Sequence, residues 1–139
     1  MKDPEKTILY VDDDEDDRQL FSEAIKSADP AINLVFAENG LKAINYLDAV
    51  KQPEEKLPCL IVLDLNMPFL DGKKTFERIK TNPELENIPV VIFTSSQNPN
   101  DKNFFQQAGV ELISKPYDFS FMHGIAQHML GHCSIAGDL

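Results

Sequence analysis

The chain is predicted to be an α/β protein, a doubly wound, five-stranded parallel sheet with helices on both faces. Two patterns predict it. Short apolar runs, several rich in β-branched residues, alternate along the whole chain with longer stretches whose apolar residues recur at helical spacing. The central runs are almost wholly apolar, as strands covered on both faces are. The intervals between them leave no room for a second domain. Residues 1–130 therefore read as one domain and 131–139 as an aperiodic tail that frays.

Taken in order, Thr7–Val11 (TILYV) reads as the first strand. Glu15–Ala28 follows as a helix, with Leu20, Phe21, Ala24 and Ile25 on one face and Asp29-Pro30 as its stop. Ile32–Ala37 is the second strand, and Asn39–Val50 the second helix, carrying Leu41, Ala43, Ile44 and Leu47. After a polar loop, Gln52–Pro58, Cys59–Leu63 is the most hydrophobic run and reads as a central strand ending at Asp64. Pro68 and the turn pair Asp71-Gly72 then precede a helix over Lys73–Thr81. Val90–Phe93, Asp101–Ala108 and Glu111–Ser114 complete the alternation, and Asp118 is placed to cap a last helix ending near Leu130.

Composition excludes several functions. A formal charge of −10 argues against direct nucleic-acid binding, because phosphate backbones require a basic surface. No apolar stretch approaches the roughly 18 residues of a membrane span, and the N-terminus has no leader-like apolar segment. Cys59 and Cys133 fit no metal or redox spacing. Such sparse usage reads as free thiols in a reducing, cytoplasmic setting.

In open parallel sheets, ligands bind at the carboxyl ends of the strands. The first strand is followed by Asp12, Asp13 and Asp14, the third by Asp64, the fourth by Thr94-Ser95-Ser96 and the fifth by Lys115-Pro116. Carboxylates, hydroxyls and one amine thus converge on one edge. Clustered carboxylates stay ionised only beside a cation, and an all-oxygen donor set suits Mg2+. A carboxylate next to Mg2+ can attack phosphorus and form an acyl phosphate. The remaining need is neutralisation of the phosphoryl oxygens, for which a lysine and a hydroxyl suffice.

Four segments carry a family resemblance: ILYVDDD, LIVLDLNMPFLDG, VVIFTSS and ISKP. In that order and spacing, over roughly residues 6–130, the chain resembles the receiver domains of response regulators in bacterial two-component systems. The resemblance implies a flavodoxin-like strand order of 2-1-3-4-5. It makes Asp64 the phospho-acceptor, Asp13 a direct Mg2+ ligand, Asp12 a holder of metal-bound water and the Asn66 backbone carbonyl a further ligand. It gives Thr94 and Lys115 the contacts to the phosphoryl group. Asn66 and Ser96 then stand at the positions that tune dephosphorylation, and the peptide bond before Pro116 is usually cis in the family. A phosphohistidine on a sensor histidine kinase or phosphotransfer protein is the implied donor, and a protein the downstream partner. The loop before Cys59 and the PELENIPV segment look similar to small stand-alone receivers encoded beside bacterial phytochromes, which are often dimeric through their last helices. One departure is Leu112, where the family commonly carries a switch aromatic.

Other readings compete with these. Asp14, Asp16 and Asp17 also suit the positive end of a helix. Asp12, Asp14, Asp16 and Glu23 have the spacing of a calcium loop, but Asp17 stands where that loop needs glycine. His123, His128, His132 and Cys133 sit near one another in sequence without an evident carboxylate partner and read as surface or core residues. Phe104-Phe105 and Phe119/Phe121 read as core or interface. A Mg2+ phosphohydrolase of the haloacid-dehalogenase type would need a second Asp where Asn66 stands. A docking module that works without phosphorylation would not need the full Asp12, Asp13, Asp64, Thr94 and Lys115 set.

Overall fold

A computed structural model of the chain describes residues 6–52 and 57–134. The elements alternate as predicted: β1 Thr7–Val11, α1 Glu15–Ala28, β2 Asn33–Ala37, α2 Gly40–Val50, β3 Leu60–Leu63, α3 Gly72–Lys80, β4 Val90–Thr94, α4 Pro99–Gln107, β5 Glu111–Ser114 and α5 Met122–Ser134. All strand pairs are parallel, in the order β2-β1-β3-β4-β5. The fold class and strand order expected from the sequence are those observed.

Helix starts follow capping chemistry. Asp14, Asn39 and Asp71 each accept a hydrogen bond from the backbone N–H three residues on, at 3.0, 2.8 and 2.9 Å. Each such cap stabilises its helix by about 1 kcal/mol. Asp118 caps a 3-10 turn, Phe119–Phe121, ahead of α5. The last helix does not stop near Leu130 but continues to Ser134. Its final turn brings Cys133 into the core, which explains the extension. Residues 135–139 of the expected tail and 53–56 of the polar loop lie outside the described residues.

Side chains alternate across the sheet and build two cores. Leu9, Val11, Ile61, Leu63, Val90 and Ile92 pack with α2, α3 and α4 through Ala43, Leu47, Phe76, Ile79 and Phe105. Ile8, Tyr10, Leu60, Val62, Val91 and Phe93 pack with α1 and α5 through Phe21, Ile25, Ala126 and Met129. Phe105 is core, as read, whereas Phe119 and Phe121 are exposed and only the interface reading survives for them.

The two cysteines are not free thiols. Cys59, just before β3, and Cys133, in the last turn of α5, form a disulfide that closes a separation of 74 residues. Sequence spacing did not reveal it because the pairing depends on α5 lying across the start of β3. Such a cross-link restricts the unfolded chain and stabilises the fold by about 2–4 kcal/mol. Dithiothreitol is therefore expected to lower the Tm of the wild type and leave Cys133→Ser unchanged. A wild-type Tm indifferent to reductant would show that the bond contributes nothing.

Candidate functional site

Strand register assembles the site. Val11 pairs with Leu63, and the Asp64 N–H donates to the Val11 carbonyl at 3.0 Å, so Asp12 and Asp64 leave neighbouring strands side by side. Thr94 pairs with Ser114, and the Lys115 N–H donates to the Thr94 carbonyl at 2.9 Å. By the two-residue period of a strand, Asp12, Asp64 and Lys115 follow the parity of Tyr10, Val62 and Ile113, which face α1 and α5.

The Lys115 ammonium stands at the centre. Its Nζ lies 2.7 Å from Asp12 Oδ2, 2.7 Å from Asp17 Oδ2 and 3.3 Å from Asp64 Oδ2. The Lys115 side chain is 13% exposed, Asp12 0% and Asp64 7%, so little water screens these charges. Burial alone would pull the Lys115 ammonium down. The hydrogen bonds to Asp12 and Asp17 and the charge of Asp64 outweigh it and hold the group above the usual lysine value. Burial pushes the Asp64 carboxyl up and the Asp12 charge adds to this, against Lys115, the Thr94 hydroxyl and the Leu65 N–H.

Asp12 is held from every side. Its carboxylate accepts from the Tyr10 hydroxyl at 2.6 Å, from the Asp14 N–H at 3.0 Å and from Lys115, while Arg18 donates to its carbonyl at 2.8 Å. Burial, then the carboxylates of Asp12, Asp17 and Asp64, drive the Tyr10 phenol far above its usual range, so it remains a donor. Asp13 is exposed, yet its carboxylate and those of Asp12 and Asp64 offer oxygens all within 4.8 Å of one another. Those three, with Asp17, outnumber the single ammonium, and every donor is an oxygen. A hard divalent cation fits such a cluster.

The loop after Asp64 approaches closely. A Cβ at Gly72 would fall 2.1 Å from the Asp64 carbonyl oxygen, so only glycine permits this packing. Phe69, 87% exposed, adopts φ of 67°, a left-handed conformation that costs an aromatic residue energy and marks a constrained loop. Thr94 is buried and its hydroxyl oxygen accepts from the Ser96 N–H at 3.1 Å. Ser96 in turn donates to Asp101 in the first turn of α4 at 3.1 Å. Asn66 is exposed at the edge of the site, and Leu112 packs on the core beside β4.

The structure thus brings Asp12, Asp13, Asp64, Thr94 and Lys115 to one edge of the sheet. Sequence reasoning missed Tyr10 and left Asp17 to the helix-end reading. Tyr10 was accessible from period two, since it precedes Asp12 by two residues on the same strand face. Asp17 was not, because its meeting with Lys115 depends on how α1 packs. The calcium-loop spacing comes to nothing: α1 already begins at Glu15 and Asp14 caps it.

Comparison with known proteins decides the family. Residues 8–127 match the response regulator receiver domain. The chain belongs to that family. It is 39% identical over 99 residues to the response regulator Rcp1 of Synechocystis sp., covering 70% of this chain and 67% of the relative. The receiver domain is similar in structure to the phosphorylated cyanobacterial phytochrome response regulator RcpA, with 31% identity, a TM-score of 0.80 and coverage of 90% and 91%. The Mn(2+)-bound form of Rcp1 gives 31%, 0.80 and coverage of 96% and 98%. Of the sensor histidine kinase CheAY of Helicobacter pylori, matched at 26% identity, the receiver covers 15%. The chain is therefore a receiver of a two-component system with an acidic Asp12, Asp13, Asp64 pocket, and it is similar to phytochrome-associated regulators. No helix of the described residues is long and apolar enough to cross a membrane.

The raised Asp64 carboxyl has a consequence for stability. The folded state holds that proton more tightly than the unfolded one. Its favourable contribution is therefore complete at low pH and is lost as pH rises through the folded value. Without metal, Asp64→Asn is expected to raise the Tm at neutral pH, with the gain shrinking towards roughly pH 4, where carboxyls protonate. A variant less stable than wild type at neutral pH would show that Asp64 is net stabilising as a charge.

Proposed function

We propose that this receiver is a stand-alone switch in which Asp64 accepts a phosphoryl group from a phosphohistidine of a sensor kinase or phosphotransfer protein. The observation that carries this is the Lys115 ammonium shared among Asp12, Asp17 and Asp64 beside the buried Thr94. An Asp64 oxygen attacks phosphorus, and the phosphorus–nitrogen bond breaks with its electron pair returning to the imidazole. A carboxylate has no proton to lose, so no separate base is required. The chain is a signalling protein whose only chemistry is the gain and loss of its own phosphoryl group.

Mg2+ fits the donors. Asp13 and Asp64, with the Asn66 backbone carbonyl, would hold it directly, and Asp12 through water. Asp12 suits the indirect role because its carboxylate already accepts three hydrogen bonds. When bound, Mg2+ supplies charge neutralisation for the carboxylates and the phosphoryl oxygens.

The phosphoryl group adds nearly two negative charges. Lys115, 3.3 Å from Asp64, moves its contact to a phosphoryl oxygen, and the Thr94 hydroxyl turns to donate to another. Thr94 then releases the Ser96 N–H, and Ser96 is bonded to Asp101, so the change passes into α4. Leu112, packed on the core, leaves α4 and the loop before it as the moving parts. Asn66 and Ser96 flank the reacting atoms, where they tune access of water to the acyl phosphate. We assign the chain to the cytoplasm, where a kinase phosphohistidine and Mg2+ are both at hand, and its output to contact with a partner protein.

Incubation with acetyl phosphate tests this. Intact mass should show one added phosphoryl group with Mg2+, none without it and none in Asp64→Asn. Thr94→Ala should still accept the group but fail to shift the amide signals of α4. Absence of uptake by folded wild type in Mg2+ would leave a docking module that works without phosphorylation.

A further inference from the structure

A second group of potential ligands lies at the other end of the sheet. Glu111 opens β5, while Lys115 follows its end, so roughly 13 Å of strand separates the two places at about 3.3 Å per residue. His128 and His132 lie four residues apart on α5 and therefore share a face. Both turn towards Glu111. His128 Nε2 is 2.9 and 2.8 Å from the two carboxylate oxygens, and His132 Nε2 is 3.7 Å from Oε1. One ligand atom from each of the three falls within 4.8 Å of the others. This pairing supplies the carboxylate that sequence order did not reveal.

We propose that Glu111, His128 and His132 form a surface site for a borderline divalent transition metal, of which Zn2+ is the reference case. Two imidazoles and one carboxylate select such an ion over Mg2+, which prefers oxygen alone. Ligand atoms at about 2.0–2.1 Å from a tetrahedral Zn2+ stand about 3.4 Å apart, a value that the Glu111–His128 and Glu111–His132 distances of 2.8 and 3.7 Å bracket. The side chains are 42%, 55% and 31% exposed, which leaves an entry path and a position for water. Lys80, in the adjoining cleft, has its ammonium engaged by the carbonyls of Glu86 and Ile88. A bound ion would cross-link the edge strand β5 to the last turns of α5. That link lies apart from the phosphoryl site and does not rest on its reading.

Calorimetric titration of the full chain with Zn2+ in excess Mg2+ tests the site, since Mg2+ occupies the acidic pocket. One Zn2+ should bind wild type and the Asp13→Asn/Asp64→Asn variant alike. His128→Gln and His132→Gln should each weaken binding at least about tenfold, as the loss of even an outer-shell partner does. Zn2+ should also raise the Tm of wild type but not of His132→Gln. Both histidine variants should keep the circular dichroism of the wild type, which shows them folded. Zn2+ binding that survives both histidine variants but disappears with the acidic pocket would overturn the proposal. So would the absence of binding to wild type, which would leave Glu111 as an ordinary ion-pair partner of the histidines.

Discussion

The architecture of the acidic edge depends on one ammonium group shared by three carboxylates. Lys115 enters from the end of β5, Asp12 and Asp64 from β1 and β3, and Asp17 from the first turn of α1. In a site so poorly hydrated, an uncompensated carboxylate is costly, and removing that ammonium would leave the buried Asp12 and Asp64 without their ion-pair partner. Tyr10 and Arg18 then fix Asp12 through its carboxylate and its carbonyl. The result is a negative cluster tied together by hydrogen bonds. Its charge is not balanced from within, which suits it to a divalent cation.

The rest of the fold holds that cluster in register. Two apolar layers clamp the sheet, and no buried side-chain nitrogen or oxygen among the described residues lacks a hydrogen-bond partner. Burying each large apolar side chain stabilises the fold by about 1.5–3 kcal/mol, enough in sum to hold charged groups together at the sheet edge. Gly72 lets the loop after Asp64 lie against the strand end, and Phe69 absorbs the resulting turn in a strained conformation. Thr94, Ser96 and Asp101 form a short chain of hydrogen bonds from the site into α4.

The far end of the molecule has its own fastenings, and both involve α5. The Cys59–Cys133 bond joins the final turn to the start of β3, and Glu111 joins the same end to β5 through His128 and His132. Residues that looked like isolated surface or core positions in sequence therefore act together. The last helix is anchored to the sheet well away from the end where Lys115 works.

By itself the sequence determined the alternation of elements, their boundaries to within two residues except at the last helix, and the gathering of Asp12, Asp13, Asp64, Thr94 and Lys115 at one edge of the sheet. Apolar periodicity, capping residues and the rule that strand ends carry the chemistry are local signals, readable within a dozen residues. Only the tertiary structure decided which distant groups meet. Lys115 reaches across 103, 98 and 51 positions to Asp12, Asp17 and Asp64. Cys133 reaches 74 positions to Cys59, and His128 reaches 17 to Glu111. Those meetings depend on strand register and on α1 and α5 packing on one face, which are set by the collective fit of the core. No local pattern encodes that fit.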